Sequence, residues 1–575
     1  MLRKLPVVFF VAGLLSFLAC EGPPSSTFNV RLRWAGLDEA QGPLPRSVQV
    51  LLLLVYVEGS TSPENSLYTV SSLKDSDGNG RLELVRDALP TEKPFRLVLL
   101  AGPSEGDWTH IGLSGPIVLD RGERRYIDIQ MYNLRAATSL MSGPSARALH
   151  TLTALKDGRV LVAGGFDRVQ AVDCPGEAPP SAQCYEFTAT SSAFIFDPAT
   201  GRFRQTKNGM LLPRGGHTAS LLPSGRVLIA GGAERLILAV VDQGGGYHEF
   251  SWIRGADDRA PRTFEVFDPE LNPEEEDLER DGDPWRGGFR GPSGATPGML
   301  DEPRILHGAS VLSDGRVLLA GGLASPQSFT LMRSSAQSES LVGGGMLQVP
   351  RPLANTAVIG RGNMERVFIA GGATARNDAE LAEIWVEGGG AGMTTSAMIM
   401  TATGAPQWNF YRPLVETVGA GVGVLVVGWY GPWCERGRST PFFDPPANAV
   451  RCRFAPNRAY TFDASTNRAV GTAAMKGHAF GASTRLDDGT IVVSGGFSDL
   501  TLAAENAVVF YGSNLVGGAV QVIPLNAAME QGRALHAIAP LFEGGVLVVG
   551  GLRFSGGMPS LISAPEVLFI DRPRG

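Results

Sequence analysis

After its first nineteen residues the chain has no apolar run long enough to cross a bilayer, which takes about 20 residues. The expectation is therefore a protein anchored to a membrane rather than integral to it. An excess of positive charge is also missing: 50 Lys and Arg stand against 57 Asp and Glu, a net charge of −7. Without a basic footprint, the sequence argues against DNA or RNA as a partner. Histidine, the usual general acid or base, occurs only seven times in 575 residues, tyrosine ten times and cysteine five. A Ser-His-Asp set in local context, a phosphate loop and a redox C-x-x-C are all absent. A disordered chain is excluded by 43% apolar and 19% charged residues. Glycine is abundant, at 73 residues, which points to many turns and close backbone contacts.

Arg3 and Lys4 precede the apolar stretch LPVVFFVAGLLSFLA (Leu5 to Ala19), which is followed by Cys20 and the polar, Pro-rich EGPPSST. A charged start, a short apolar core and a small residue before the break read as a signal peptide over residues 1–19, with a tether over 20–26. The stretch FLAC resembles the lipobox of bacterial lipoproteins, with Phe17 where that motif usually has Leu. The resemblance implies acylation of Cys20 and a lipid anchor in the bacterial cell envelope, at the outer membrane on its periplasmic or surface face. The alternative is an ordinary signal peptide cut near Ala19, with Cys20 incidental. Setting Cys20 aside leaves Cys174, Cys184, Cys434 and Cys452, two local pairs in Pro-rich stretches. Four cysteines allow three connectivities; local pairing is the simplest, and an oxidising compartment permits it. A zinc site is disfavoured, because neither pair has C-x-x-C spacing and no His lies close by in sequence.

The rest of the chain repeats itself. GRVLVAGG (Gly158 to Gly165) returns as GRVLIAGG (Gly225 to Gly232) and GRVLLAGG (Gly315 to Gly322). It then weakens to ERVFIAGG, VGVLVVGW, GTIVVSGG and GGVLVVGG, which end at Gly372, Trp429, Gly496 and Gly551 in turn and bring the copies to seven. Spacing is uneven: Gly164 to Gly231 is 67 residues, Gly231 to Gly321 is 90, and Gly321 to Gly371 is 50. Constant cores with variable loops follow from this. Each core is apolar on both faces of a strand, so both faces must be covered. A preceding Asp-Gly, as in Asp157-Gly158 and Asp314-Gly315, predicts a hairpin turn. Downstream, AFIFDPATGRF, FEVFDPELN and AYTFDASTNRAV each read as strand, turn, strand. Two hairpins per copy make a four-stranded sheet, and such sheets stack face to face.

These residues resemble the kelch repeat, whose copies run from an Arg-x-x-His or Gly strand through an apolar strand ending in Gly-Gly to a strand ending in Tyr/Phe-Asp-Pro. The DGRVLVAGG form is also common in galactose-oxidase-like propellers. The resemblance covers about residues 134–575 and implies an all-β fold with a kelch-type β-propeller of seven blades, or six if the fifth copy, with Gly428-Trp429, is not one. The last copy supplies three strands before the chain ends, so LRAATSLMSGPSA (Leu134 to Ala146) is expected to complete it and close the ring. Residues 27–133 hold short apolar or alternating runs between turns, which suits a small β-sandwich. DSDGNGRLELVRDALPTEKPFRLVLLAG resembles the transthyretin-like or carboxypeptidase-regulatory-like sandwich, usually a spacer or binding module.

The candidate chemistry is thin. Asp75, Asp77 and Asn79 with Gly80 match the first half of a calcium loop, but the twelfth position is Arg86 rather than Glu. Calcium is the one metal the sequence suggests, with a polar hairpin loop as the alternative; no other cofactor is indicated. His150, His217, His307 and His536 each sit fourteen residues before the first Gly of a closing pair (Gly164-Gly165, Gly231-Gly232, Gly321-Gly322, Gly550-Gly551), and Arg147, Arg214, Arg304 and Arg533 sit seventeen before it. His478 takes the Arg place in the sixth copy. A residue repeated in four copies has a repeated job, so these are expected to bond the backbone or loops of the next blade. An oxidase would use Tyr247 and His248 of GGGYHEF with copper, yet the rest of a copper-radical ligand set cannot be placed. The acidic insert over residues 270–285 reads as a solvated loop or as a flap for a divalent ion or a partner. The expectation is an envelope-anchored binding protein whose loops recognise a protein or glycan; a copper-radical or other carbohydrate-active enzyme is the alternative.

Overall fold

The computed structural model describes residues 27–570 except 35–44, 46, 59–62, 70–80, 85–92, 121–122, 245, 255–259, 272–286, 293, 336–337, 348–349, 361–363, 372–378, 386–392, 399–409, 422, 431–454, 464–467, 472–477 and 499–500. These residues are all-β, with a few one-turn 3-10 segments. Cys20, Asp75, Asp77, Asn79, Cys434, Cys452, the signal segment and most of the acidic insert lie outside the described residues.

Seven sheets carry the repeat. Sheet one runs Thr151–Ala154, Val160–Ala163, Ala193–Asp197 and Arg202–Gln205, each strand antiparallel to the next. Sheets two to seven begin at Thr218–Leu221, Gly308–Val311, Asn355–Ile359, Phe410–Val418, Ala482–Arg485 and Ala537–Leu541. The second strand of each is an apolar core of the sequence repeat, and in sheet one Val160, Leu161, Val162 and Ala163 are all buried. Burial on both faces follows because each sheet packs against a neighbour: Leu161, Ala163 and Ile195 share a cluster with Val227 and Ile229 of sheet two. The fifth copy forms a sheet like the others. First strands of successive sheets touch, from one to seven, and the first strand of sheet seven touches that of sheet one.

Sheet seven gains the fourth strand expected for it. Its third strand, Glu566–Phe569, pairs with Thr138–Ser139 from the far end of the chain. Leu140 N–H also bonds Pro565 O at 3.0 Å.

The N-terminal region, where a small β-sandwich is expected, holds seven strands. Its seven strands follow one hydrogen-bonded path, because Thr27–Trp34 pairs in parallel with Arg124–Asn133 and so joins both halves. FRLVLLAG shows how the faces divide. Leu97, Leu99 and Ala101 meet Val30, Leu32, Leu51, Leu53, Ile129 and Met131, so the sheet covers its own core. Val98 and Leu100 point the other way, onto Val160 and Phe196 of sheet one and Leu547 and Phe569 of sheet seven. The N-terminal sheet thus docks across the seam between the first and last sheets, at the ends where the tight turns lie. Arg96 donates to Asp157 O at 2.9 Å in the turn of sheet one and stacks over Phe542 in the turn of sheet seven. Tyr132 O–H bonds Pro198 O at 2.6 Å, and its ring packs against Phe569.

Candidate interaction face

The opposite strand ends, where the Gly pairs lie, are built from the repeated Arg and His. Each Arg is fully buried and turns back onto its own sheet. Arg147 Nη1 bonds Gly164 O at 2.9 Å, Arg214 Nη1 bonds Gly231 O at 2.6 Å, and Arg533 Nη1 bonds Gly550 O at 3.0 Å. Seventeen residues is therefore the distance that returns the chain to the carbonyl of the first Gly. The expectation that Arg side chains bond the next blade is corrected: the neighbour is reached by the backbone. Gly165 N–H bonds Arg214 O, Gly232 N–H bonds Arg304 O, and Gly551 N–H bonds Arg147 O, linking sheet seven to sheet one. The remaining guanidinium edge meets whatever the third strand offers. That is Phe194 through a cation–π contact at 5.2 Å, Glu265 in an ion pair at 2.7 Å, Thr330 Oγ1 at 2.5 Å, and Glu566. Burial lowers the pKa of Arg147 and Arg304 to about 10, still far above neutral pH.

The histidines reach backwards, to the preceding sheet. His217 Nε2 shares a hydrogen bond with Thr151 Oγ1 at 3.0 Å, His307 Nε2 with Thr218 Oγ1 at 3.0 Å, and His536 Nε2 with Ser494 Oγ at 2.8 Å. His478, in the Arg place, donates from Nδ1 to Gly495 O at 2.7 Å. Burial keeps all five imidazoles neutral, with His217 lowered to about 3 and His478 to about 4. This packing explains the glycines. Gly164 has φ +57, and a Cβ there would stand 2.5 Å from Arg214 O and 3.0 Å from His217 Cε1.

Between each Arg and His the backbone turns left-handed. Leu149, Gly216, Leu306, Leu353, Arg412, Phe480 and Leu535 occupy this place in sheets one to seven, with φ between +35 and +66. They hold hands: Leu306 N–H bonds Gly216 O, Gly216 N–H bonds Leu149 O, Leu149 N–H bonds Leu535 O, and Leu535 N–H bonds Phe480 O.

A further sheet, which the repeat does not announce, lies over them. Phe166–Val172 and Gln183–Ala189 follow the Gly pair of sheet one; Arg235–Gly244 and Tyr247–Arg254 follow that of sheet two. The two hairpins join through Gln183–Ala189 against Arg235–Gly244. Their lower face places Phe166, Phe187, Leu236, Leu238 and Trp252 on Leu149, Leu306, Leu353, Phe480 and Leu535. Phe250 crosses to Phe480 at 5.3 Å, and Phe497 meets Phe554 at 5.6 Å. Cys174 and Cys184 form the expected local disulfide, which fastens the first hairpin. The upper side exposes Arg168, Gln170, Asp173, Glu177 and Asp242.

Tyr247 and His248 begin the last strand of this cap. Among the described residues no group of three or more His, Cys, Asp or Glu stands together to hold a metal, and no helix is long and apolar enough to cross a membrane. No protein-family model matches the chain. No curated protein matches it either.

Proposed function

We propose that the seven sheets are blades of a kelch-type β-propeller and that the protein is a binding module anchored in the cell envelope through Cys20. The cyclic contacts of the first strands, the backbone belt from Phe480 to Leu306 and the completion of sheet seven by Thr138–Ser139 support the ring. One observation carries the functional reading: the N-terminal sheet and the cap sit at opposite ends of the strands. The anchored chain enters the N-terminal sheet at Thr27, so the turn ends face the membrane and the cap faces away from it. The Gly-pair end carries a sheet with an apolar underside and a polar top, which suits a macromolecular protein or glycan partner better than a small substrate.

Two measurements test this. Cys20→Ala should move the chain from the membrane fraction to the soluble one. A photo-crosslinking residue at Gln170 on the anchored protein should capture a defined partner, while one at Arg125 on the N-terminal sheet should not. Equal capture at both positions, or capture at Arg125 alone, would overturn the assignment of the cap as the binding face.

A further inference from the structure

We propose that Arg412 is a binding site for a carboxylate monoanion. Of the seven left-handed positions in the belt, six hold Leu, Phe or Gly, and one holds a charge. Arg412 adopts φ +35 and precedes Pro413, a combination that disfavours this conformation twice over. Strain of this kind persists where the surroundings impose it, as they do at the five other non-glycine residues of the belt. The residues on either side in the belt, Leu353 and Phe480, belong to the apolar cluster beneath the cap. Among the described residues sheet five contributes nothing to that cluster.

In the repeated sheets an Arg two residues earlier holds the end of the second strand, whereas sheet five has Phe410 in that place. Pro413 takes the His place: a Cβ on Gly371 would stand 2.7 Å from Pro413 Cδ, as one on Gly164 would meet His217. Arg412 itself is part-exposed, but its Nη1 is enclosed and has no hydrogen-bond partner among the described residues. Desolvation lowers its pKa to about 10, so it remains cationic at neutral pH. Burial, with Arg304 and more weakly Arg412 beside it, keeps the nearby His307 neutral, so His307 adds no second positive charge. A planar carboxylate accepts two parallel N–H bonds from a guanidinium and matches its single charge. A phosphate dianion would leave one negative charge uncompensated in a partly desolvated place.

This inference goes beyond the partner-binding reading and stands apart from it, because small anions read it out. The intact chain is heated with benzoate, with neutral benzamide and with phenyl phosphate, at equal ionic strength. Benzoate should raise the melting temperature by about 2–4 °C near saturation, and benzamide should not. Arg412→Leu, which restores the residue of four other sheets, should fold and lose the benzoate response; Arg412→Lys should keep only part of it, having charge without the fork. A benzoate shift unchanged in Arg412→Leu overturns the site, as does the lack of any shift in the native protein. A larger shift with phenyl phosphate overturns the choice of a carboxylate.

Discussion

At the start of sheet two the chain reads Arg214-Gly215-Gly216-His217; at the start of sheet five it reads Phe410-Tyr411-Arg412-Pro413. Both stretches turn left-handed at the third residue and lead into an inner strand. In sheet two both polar side chains of this stretch are engaged by the fold: Arg214 by Gly231 O and Glu265, His217 by Thr151. In sheet five the structural places are taken by Phe and Pro, and the charge has moved to the place that elsewhere is apolar. A repeated polar residue thus marks scaffold, and the copy that breaks the repeat frees one for a ligand.

The largest way to break this contrast is acid. His150, His217, His307, His478 and His536 are buried and neutral in sheets one, two, three, six and seven, while sheet five has none. Their pKa values are lowered in the fold, so below about pH 6.5 the unfolded chain binds protons that the folded one refuses. Stability is therefore fully present above about 6.5 and falls as the pH drops towards the folded values, about 3 for His217 and about 4 for His478. At pH 5 each of these two costs about 2 kcal/mol. Urea unfolding between pH 7.5 and 4.5 should show this slope, and a flat profile would remove the histidines from the account.

Next in size is the buried ion pair of sheet two. Glu265 and Arg214 are both fully buried, and Glu265 also accepts from Leu211 N–H. Glu265→Ala leaves a buried guanidinium without its counter-charge and should cost about 3–5 kcal/mol in denaturant. In sheet five, Glu416 accepts from Ser483 Oγ, and burial raises its pKa, so its charged form is the disfavoured one. Glu416→Gln should cost far less; an equal cost would mean that sheet five uses its charges structurally after all.

The cap offers a more local contrast. Replacing Cys174 and Cys184 by Ser removes a link across ten residues of sequence and should cost about 2–3 kcal/mol, confined to the first hairpin. Hydrogen exchange should speed up over 166–189 and leave the strands of sheet five unchanged, since they share no cluster with the cap. Faster exchange in both would join sheet five to the cap.

How much of this could be read beforehand follows from where the repeat keeps its spacing. The apolar cores, the turns before them and the strand that completes sheet seven were legible, because each rests on alternation and on turn residues. The cap was not, although FDRVQAV and QCYEFTA alternate as strands do; FDRVQAV follows the Gly pair without a turn signal, and QCYEFTA finds its second partner in another insert. The belt position of Arg412 was hidden by one residue. Counting back seventeen and fourteen from Gly428 lands on Tyr411 and Leu414, whereas a β-bulge between these two places Phe410 and Pro413 in the structural positions. The direction of the histidine bonds also lay beyond the sequence, since a fixed offset does not say which neighbour a side chain faces.

The same bookkeeping of places predicts the smallest effect, at the seam. His217 is held by Thr151, the residue after His150, and His307 by Thr218, the residue after His217. His536 finds no such hydroxyl on Ala482 and takes Ser494 from the strand paired with it. His150 faces sheet seven, where the residue after His536 is Ala537, and both its ring nitrogens are buried without a partner among the described residues. Ala537 is half-buried, as Thr151 and Thr218 are, so a threonine has the same room there. Ala537→Thr should give His150 the bond its two counterparts have and stabilise the fold by about 1 kcal/mol. The double variant with His150→Phe should show no such gain, since a hydroxyl without the imidazole has nothing to meet. If Ala537→Thr stabilises equally in both backgrounds, the threonine acts through strand propensity and the seam is not a copy of the other joints.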